Sequence, residues 1–151
     1  MKFTPSKINI FLMAKIPSAY ISGVRVRSLT SDEAVATVKY KWINQNPFKS
    51  MYWVTQGMAS ELTTGILVMK QIAESGKKIS MLVTNQNGTF TKKARGKITF
   101  TCKDGDKIKQ AIKNTLESGE GQVLTLTSEG YDESGDKVSK FEYEWSIKAK
   151  K

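Results

Sequence analysis

The sequence predicts an α+β fold in which one antiparallel sheet wraps around a long central helix. Three observations predict it. From Ser50 to Met69 the only charged residue is Glu61, although 25% of the chain is charged, so this stretch is covered by the rest of the domain. The segments on either side alternate apolar and polar residues with the period of two that marks half-buried strands. The order of elements (helix, two strands, long helix, two strands, short helix, two strands) supplies apolar strand face enough to cover one helix.

Each element has its own signal. Residues 1–20 carry Lys2 and Lys7 ahead of an apolar run. Lys15 interrupts that run, so a short amphipathic helix with Phe11, Leu12, Lys15 and Ile16, closed before Pro17, is expected rather than a cleaved leader. Ser22 to Leu29 reads as a strand that turns through Thr30-Ser31-Asp32 into Glu33 to Trp42. In the latter, Ala34, Ala36, Val38, Tyr40 and Trp42 share one face. Asn44-Gln45-Asn46-Pro47 is a loop, Ser50 is the expected N-cap of the long helix, and Ser75-Gly76 ends it. Strands follow over Ile79 to Thr91 and Ala94 to Lys103, the second with Ala94, Gly96, Ile98, Phe100 and Cys102 facing one way. A helix over Asp106 to Ser118 repeats Ile108, Ile112 and Leu116 at helical spacing. The last hairpin joins Gln122–Tyr131 to Lys137–Ala149 through Asp132 to Asp136, with Phe141, Tyr143, Trp145 and Ile147 on its inner face. The whole of 1–151 is expected to form one domain, with residues 1–20 as a helix ahead of it.

Glu61 is the residue from which function is argued. On a helical wheel Val54, Val68 and Ile72 lie within about 20° of it, and Gly57 and Gly65 flank it at about 40°. A carboxylate on such a stripe pays a desolvation cost, so it is either kept for chemistry or held as half of a structural ion pair. The stretch around it contains Ser, Thr and Gln residues and is too polar to span a membrane alone. No membrane insertion is expected.

Composition removes other classes. The chain has no histidine, so a single chain type offers no Ser-His-Asp or Cys-His nucleophile and no His-ligated metal site. No metal or cofactor is expected. Cys102 is the lone cysteine, reads as a packed strand residue and suits a reducing cytoplasm. The net charge of +10 suggests a nucleic-acid partner, but basic residues alternate with apolar ones, as in Val24-Arg25-Val26-Arg27, which marks a solvated sheet face. No stacking platform accompanies them, and no nucleic-acid partner is expected. A single wrapped sheet leaves edges open, so a homodimer or dimer of dimers is expected to finish the burial.

Around the long helix the sequence resembles the hotdog-fold acyl-thioesterase superfamily, specifically a thioesterase-like branch known as a domain of unknown function. Many of those enzymes carry Asn-x-x-Gly-x-x-His-Gly-Gly into the helix, with an acid nine residues after the His. Here Asn46 matches the Asn, Lys49 stands at the first Gly, Tyr52 at the His, Trp53 and Val54 at the paired Gly, and Glu61 at the acid. Phe90 to Ile98 is similar to the Phe-Leu-Arg-Pro-Ala-x-Gly-x-Leu segment that follows the helix, with Lys93 in place of Pro. The resemblance implies hydrolysis of acyl-CoA or acyl-carrier-protein thioesters. It implies Glu61 as base or nucleophile, Asn46 as a positioning group, and the amides of Trp53 and Val54 as oxyanion donors. Tyr52, Lys92, Lys93 and Arg95 are then possible substrate contacts, the last three toward the phosphates of CoA. The alternative, since His-Gly-Gly is replaced, is a non-catalytic hotdog protein that binds a fatty-acyl or other apolar ligand.

Overall fold

The computed structural model describes residues 2–151. Two short helices, α1 (Pro5–Lys15) and α2 (Pro17–Ile21), lead into β1 (Arg25–Leu29) and β2 (Ala34–Lys39). A 3-10 turn over Trp42–Asn44 precedes the central helix α3 (Trp53–Ser75). Then come β3 (Ile79–Phe90), β4 (Lys97–Cys102), α4 (Gly105–Ser118), β5 (Gln122–Tyr131) and β6 (Lys137–Ala149). The six strands form one sheet in the order β1-β2-β4-β5-β6-β3, every neighbouring pair antiparallel. The α+β wrapped-sheet expectation is met.

The inner face of the sheet is the alternation read from the sequence. Ala34, Ala36 and Val38 on β2, Ile98, Phe100 and Cys102 on β4, and Phe141, Tyr143, Trp145 and Ile147 on β6 are all buried. Against them α3 packs Ala59, Leu62, Ile66 and Leu67. The helix also turns a polar seam toward the sheet, which its composition alone does not explain. Ser60 Oγ and the Tyr143 hydroxyl lie 2.6 Å apart, Thr63 Oγ1 and Ser128 Oγ 2.8 Å, and Trp145 Nε1 donates to Thr64 Oγ1 at 3.0 Å. Paired in this way, buried hydroxyls fix the helix's rotation on the sheet instead of destabilising it. Gly65 permits the close approach: a Cβ there would stand 3.3 Å from the Trp145 ring.

Four expectations are corrected. Trp42 does not continue the inner face of β2. The strand ends at Lys39 and Trp42 is 81% exposed in the 3-10 turn, because Asn44 pulls the backbone round by accepting from Lys41 N and donating to the carbonyls of Ser22 and Lys39. Ser50 is not the N-cap; that position is Tyr52, with no side-chain cap, while the Ser50 hydroxyl bonds Asn46. Leu116 is exposed and Thr115 takes its place inside, its hydroxyl donating to the Glu120 carbonyl and accepting from Ala149 N. On α1 the buried residues are Ile8 and Leu12, and Ile16 lies outside, beyond the last helical residue.

The two sheet edges differ. Along β1, Asn9 of α1 accepts from Val26 N and donates to the Val26 carbonyl, so the helix covers that edge. At the other edge β3 runs 12 residues with Leu82 and Phe90 exposed. No helix among the described residues is long and apolar enough to cross a membrane.

Candidate active site

The site is built where the loop after the 3-10 turn enters α3. Asn46 organises that loop. Its Oδ1 accepts from the amides of Phe48 and Ser50, and its Nδ2 donates to Ser50 Oγ and the Met51 carbonyl. Both ends of the side chain are therefore spent within the loop. Met51 N donates to the Ala94 carbonyl and Tyr52 N to the Asn44 carbonyl, which ties the entrance of the helix to the 3-10 turn and the segment before β4. Within the loop Lys49 has φ 57°, the left-handed conformation that favours glycine, and its carbonyl accepts from Arg95 Nε at 2.9 Å. Glycine, which the motif this sequence resembles has here, adopts that conformation without a Cβ penalty.

The first turn of α3 is uncapped. Tyr52 supplies no side-chain acceptor, no acidic residue stands in the turn, and the N–H groups of Trp53 and Val54 find no acceptor among the described residues. Such groups carry the positive end of the helix dipole and are suited to a developing negative charge. Tyr52 and Trp53 are about half exposed, with their rings edge to face.

Glu61 lies two turns further on, half-buried, with no hydrogen bond to its carboxylate and no ion pair among the described residues. Its Oε1 is 3.5 Å from where a Cβ on Gly65 would sit. Desolvation by burial pushes its pKa above the ordinary value of 4.5. Its charge also lifts the Tyr143 hydroxyl, whose pKa is raised mainly by burial. No cationic partner for a structural ion pair stands beside it among the described residues. Cys102 is buried, its thiol pushed up to about 12 by desolvation, so it is held as an inert packing group.

A cavity of about 440 Å³ opens beside the helix start, lined by Phe48, Met51, Tyr52, Trp53, Phe90 and Ala94, with Asn46 and Ser50 in its wall and Lys92 and Lys93 at its border. It also contains a residue that the sequence reading missed. Gln56 is 3% exposed, and its Oε1 has no hydrogen-bond partner. Leaving such an acceptor buried and unpaired costs about 1–3 kcal/mol. In sequence Gln56 sits among Thr55, Ser60, Thr63 and Thr64, and looks like one more polar residue. The available signal was that this whole polar set lies on a helix with too few charges to be wet.

The three basic residues are unequal. Lys92 is clamped by Asp132 at 2.6 Å and Asp136 at 2.7 Å, and these carboxylates raise its pKa. Lys93 Nζ reaches the Phe48 carbonyl at 3.4 Å, and Arg95 also turns to the loop. Lys93 and Arg95 keep their charge free of any carboxylate among the described residues.

The family model of Domain of unknown function (DUF4442) matches residues 6–147. The chain belongs to that family. No curated protein matches it. Among solved structures, a Pseudomonas aeruginosa protein of unknown function described as a probable thioesterase superposes with a TM-score of 0.82 at 21% identity, each chain covered over 97%. A Chlorobaculum tepidum protein of unknown function gives 0.80 at 16% identity, covering 97% of this chain and 98% of its own. A Haemophilus influenzae thioesterase gives 0.75 at 13% identity, covering 99% and 93%. The fold is thus the hotdog of thioesterase-like proteins. Within this DUF4442 member the start of the central helix borders the cavity, and Glu61 stands two turns further along the same helix, outside the cavity's lining.

Proposed function

We propose that this protein is a homodimeric hydrolase of acyl-CoA or acyl-carrier-protein thioesters. One observation carries the reading: a desolvated carboxylate without a partner lies on the helix whose uncapped first turn borders an apolar cavity. Glu61, its pKa raised, activates a water or attacks the thioester carbonyl itself. The free amides of Trp53 and Val54 receive the oxyanion. Asn46, saturated by its own loop, positions that turn rather than touching the substrate. Lys93 and Arg95, rather than the clamped Lys92, face the carrier's phosphates. The compartment proposed is the cytoplasm, where Cys102 stays reduced.

Two copies complete the site in this reading. Base and oxyanion donors must each stand about 3 Å from the reacting group. Seven residues of helix separate Val54 from Glu61, about 10 Å of axis. One carbonyl meets both when Glu61 comes from one protomer and the amides from the other. The open β3 edge is the surface through which the copies join.

Trp53 and Val54 standing where the motif has paired glycines favours a second reading, a carrier of acyl ligands that does no chemistry, because the Trp53 ring lines the cavity and narrows the approach to the backbone. Thiol release from acyl-CoA thioesters of graded chain length separates the two. Turnover that Glu61→Gln lowers by roughly 10²-fold is expected. No turnover of any CoA or carrier-protein thioester, together with a co-purified lipid seen by mass spectrometry, would replace the enzyme with the carrier.

A further inference from the structure

The buried carboxamide of Gln56 has an unused hydrogen-bonding capacity, and Gln56 lines the cavity. Oε1 accepts nothing, and Nε2 donates to no group among the described residues. Around it the cavity is Phe48, Met51, Trp53, Phe90 and Ala94, while the side chains of Asn46 and Ser50 bond each other. Of the buried polar side chains in this wall, Ser50 is paired with Asn46 and Gln56 is the one left without a partner. We propose that Gln56 selects acyl groups carrying a hydroxyl a few carbons from the thioester. The inference rests on the cavity being the acyl site of the proposed thioesterase.

The chemistry narrows the occupant. An acceptor without a partner requires a donor, which a plain alkyl chain lacks and a carboxylate lacks at neutral pH. One carboxamide in an apolar wall matches one hydroxyl on a hydrocarbon. A carrier arm with two amides and a hydroxyl would leave most of its polar groups unpaired there. If the carboxamide is turned end for end, the same hydroxyl accepts from Nε2 instead, since a hydroxyl does both. Position sets the distance. Gln56 follows Trp53 by three residues, about 4.5 Å of axis, and helical side chains lean toward the N-terminus. The carboxamide is therefore nearly level with the amides that hold the carbonyl, and a 3-hydroxyacyl group is the simplest that spans them.

Titration calorimetry with 3-hydroxyoctanoyl-CoA and octanoyl-CoA, in the Glu61→Gln background so that turnover is removed, tests this. With Gln56 present the hydroxylated thioester should bind roughly tenfold tighter or more, and Gln56→Leu and Gln56→Met should each bring the pair to within about twofold, chiefly by weakening the hydroxylated one. The proposal is overturned by a ratio within about twofold while Gln56 is present, by a ratio that survives in both variants, or by no measurable binding of either thioester. Weaker binding of CoA without an acyl group in the Gln56 variants would move the donor to the carrier arm and also overturn it. Both variants should melt no lower than the parent. A loss of several degrees in both would mean that Oε1 holds a structural water, and would overturn the assignment. Since these are binding constants, the expected preference in a protein that hydrolyses neither thioester would uphold Gln56 and sink the hydrolase.

Discussion

At the scale of single residues, the protein keeps two local costs in the loop and helix that carry the candidate site. Glu61 is the first. Its folded pKa lies above the ordinary 4.5, so between those values the native state holds a proton that the unfolded chain has lost. Stability from this group is full below 4.5 and falls as pH rises through the raised value. Glu61→Gln should therefore melt with the wild type near about pH 4 and above it near about pH 7.5. Its kcat should fall by roughly 10²-fold, while wild-type turnover climbs with pH through the same raised value. A Gln variant that melts early at neutral pH and keeps full turnover would make Glu61 structural. Lys49 is the second cost. An L-residue in the left-handed region pays about 1–2 kcal/mol, part of which glycine returns through its freer unfolded chain. Lys49→Gly should gain up to about 1 kcal/mol in urea melts, and Lys49→Val should lose about as much. The Arg95 contact is to the Lys49 carbonyl, which every one of these variants retains, so the melts isolate the backbone.

At the scale of elements, what was legible in the sequence follows from what periodicity can encode. The last hairpin was read at Gln122–Tyr131 and Lys137–Ala149 and lies there, because Phe141 to Ile147 alternate strictly and the turn is rich in Asp, Ser and Gly. Trp42 was misread because alternation does not reveal that the carboxamide of Asn44 ends the strand early. Ser50 looked like a cap by residue type, but Asn46, four positions earlier, had already claimed it. The residues of the candidate site that were legible are those with a charge in an unusual place, as Glu61 is. Gln56 was not legible, because its meaning lies in a bond that is missing. The uncapped helix start yields a prediction at this scale. Tyr52→Asp puts a carboxylate at the N-cap, where it accepts from the first-turn amides and should add about 1 kcal/mol to stability. The same bond occupies the proposed oxyanion donors, so thioester turnover should fall steeply as the melting temperature rises. A variant stabilised and fully active would take the oxyanion role away from Trp53 and Val54.

At the scale of the whole molecule, α1 covers one sheet edge, and β3 at the other is the edge through which the proposed dimer joins. Light scattering should give at least twice the 16.9 kDa of one chain. The stronger test uses the helix geometry. If Glu61 of one protomer works with the amides of the other, Glu61→Gln and Tyr52→Asp each disable both sites of their own homodimer. In a dimer made of one of each, both defects fall in one site and the other site is intact. Unfolding the two inactive proteins together and refolding them should then restore roughly a quarter of wild-type turnover, since about half the dimers are mixed and each has one good site. If base and donors act within one chain, every site in the mixed dimer keeps one defect and the mixture stays inactive. Turnover after mixing, set against each variant refolded alone, decides between a shared site and two private ones.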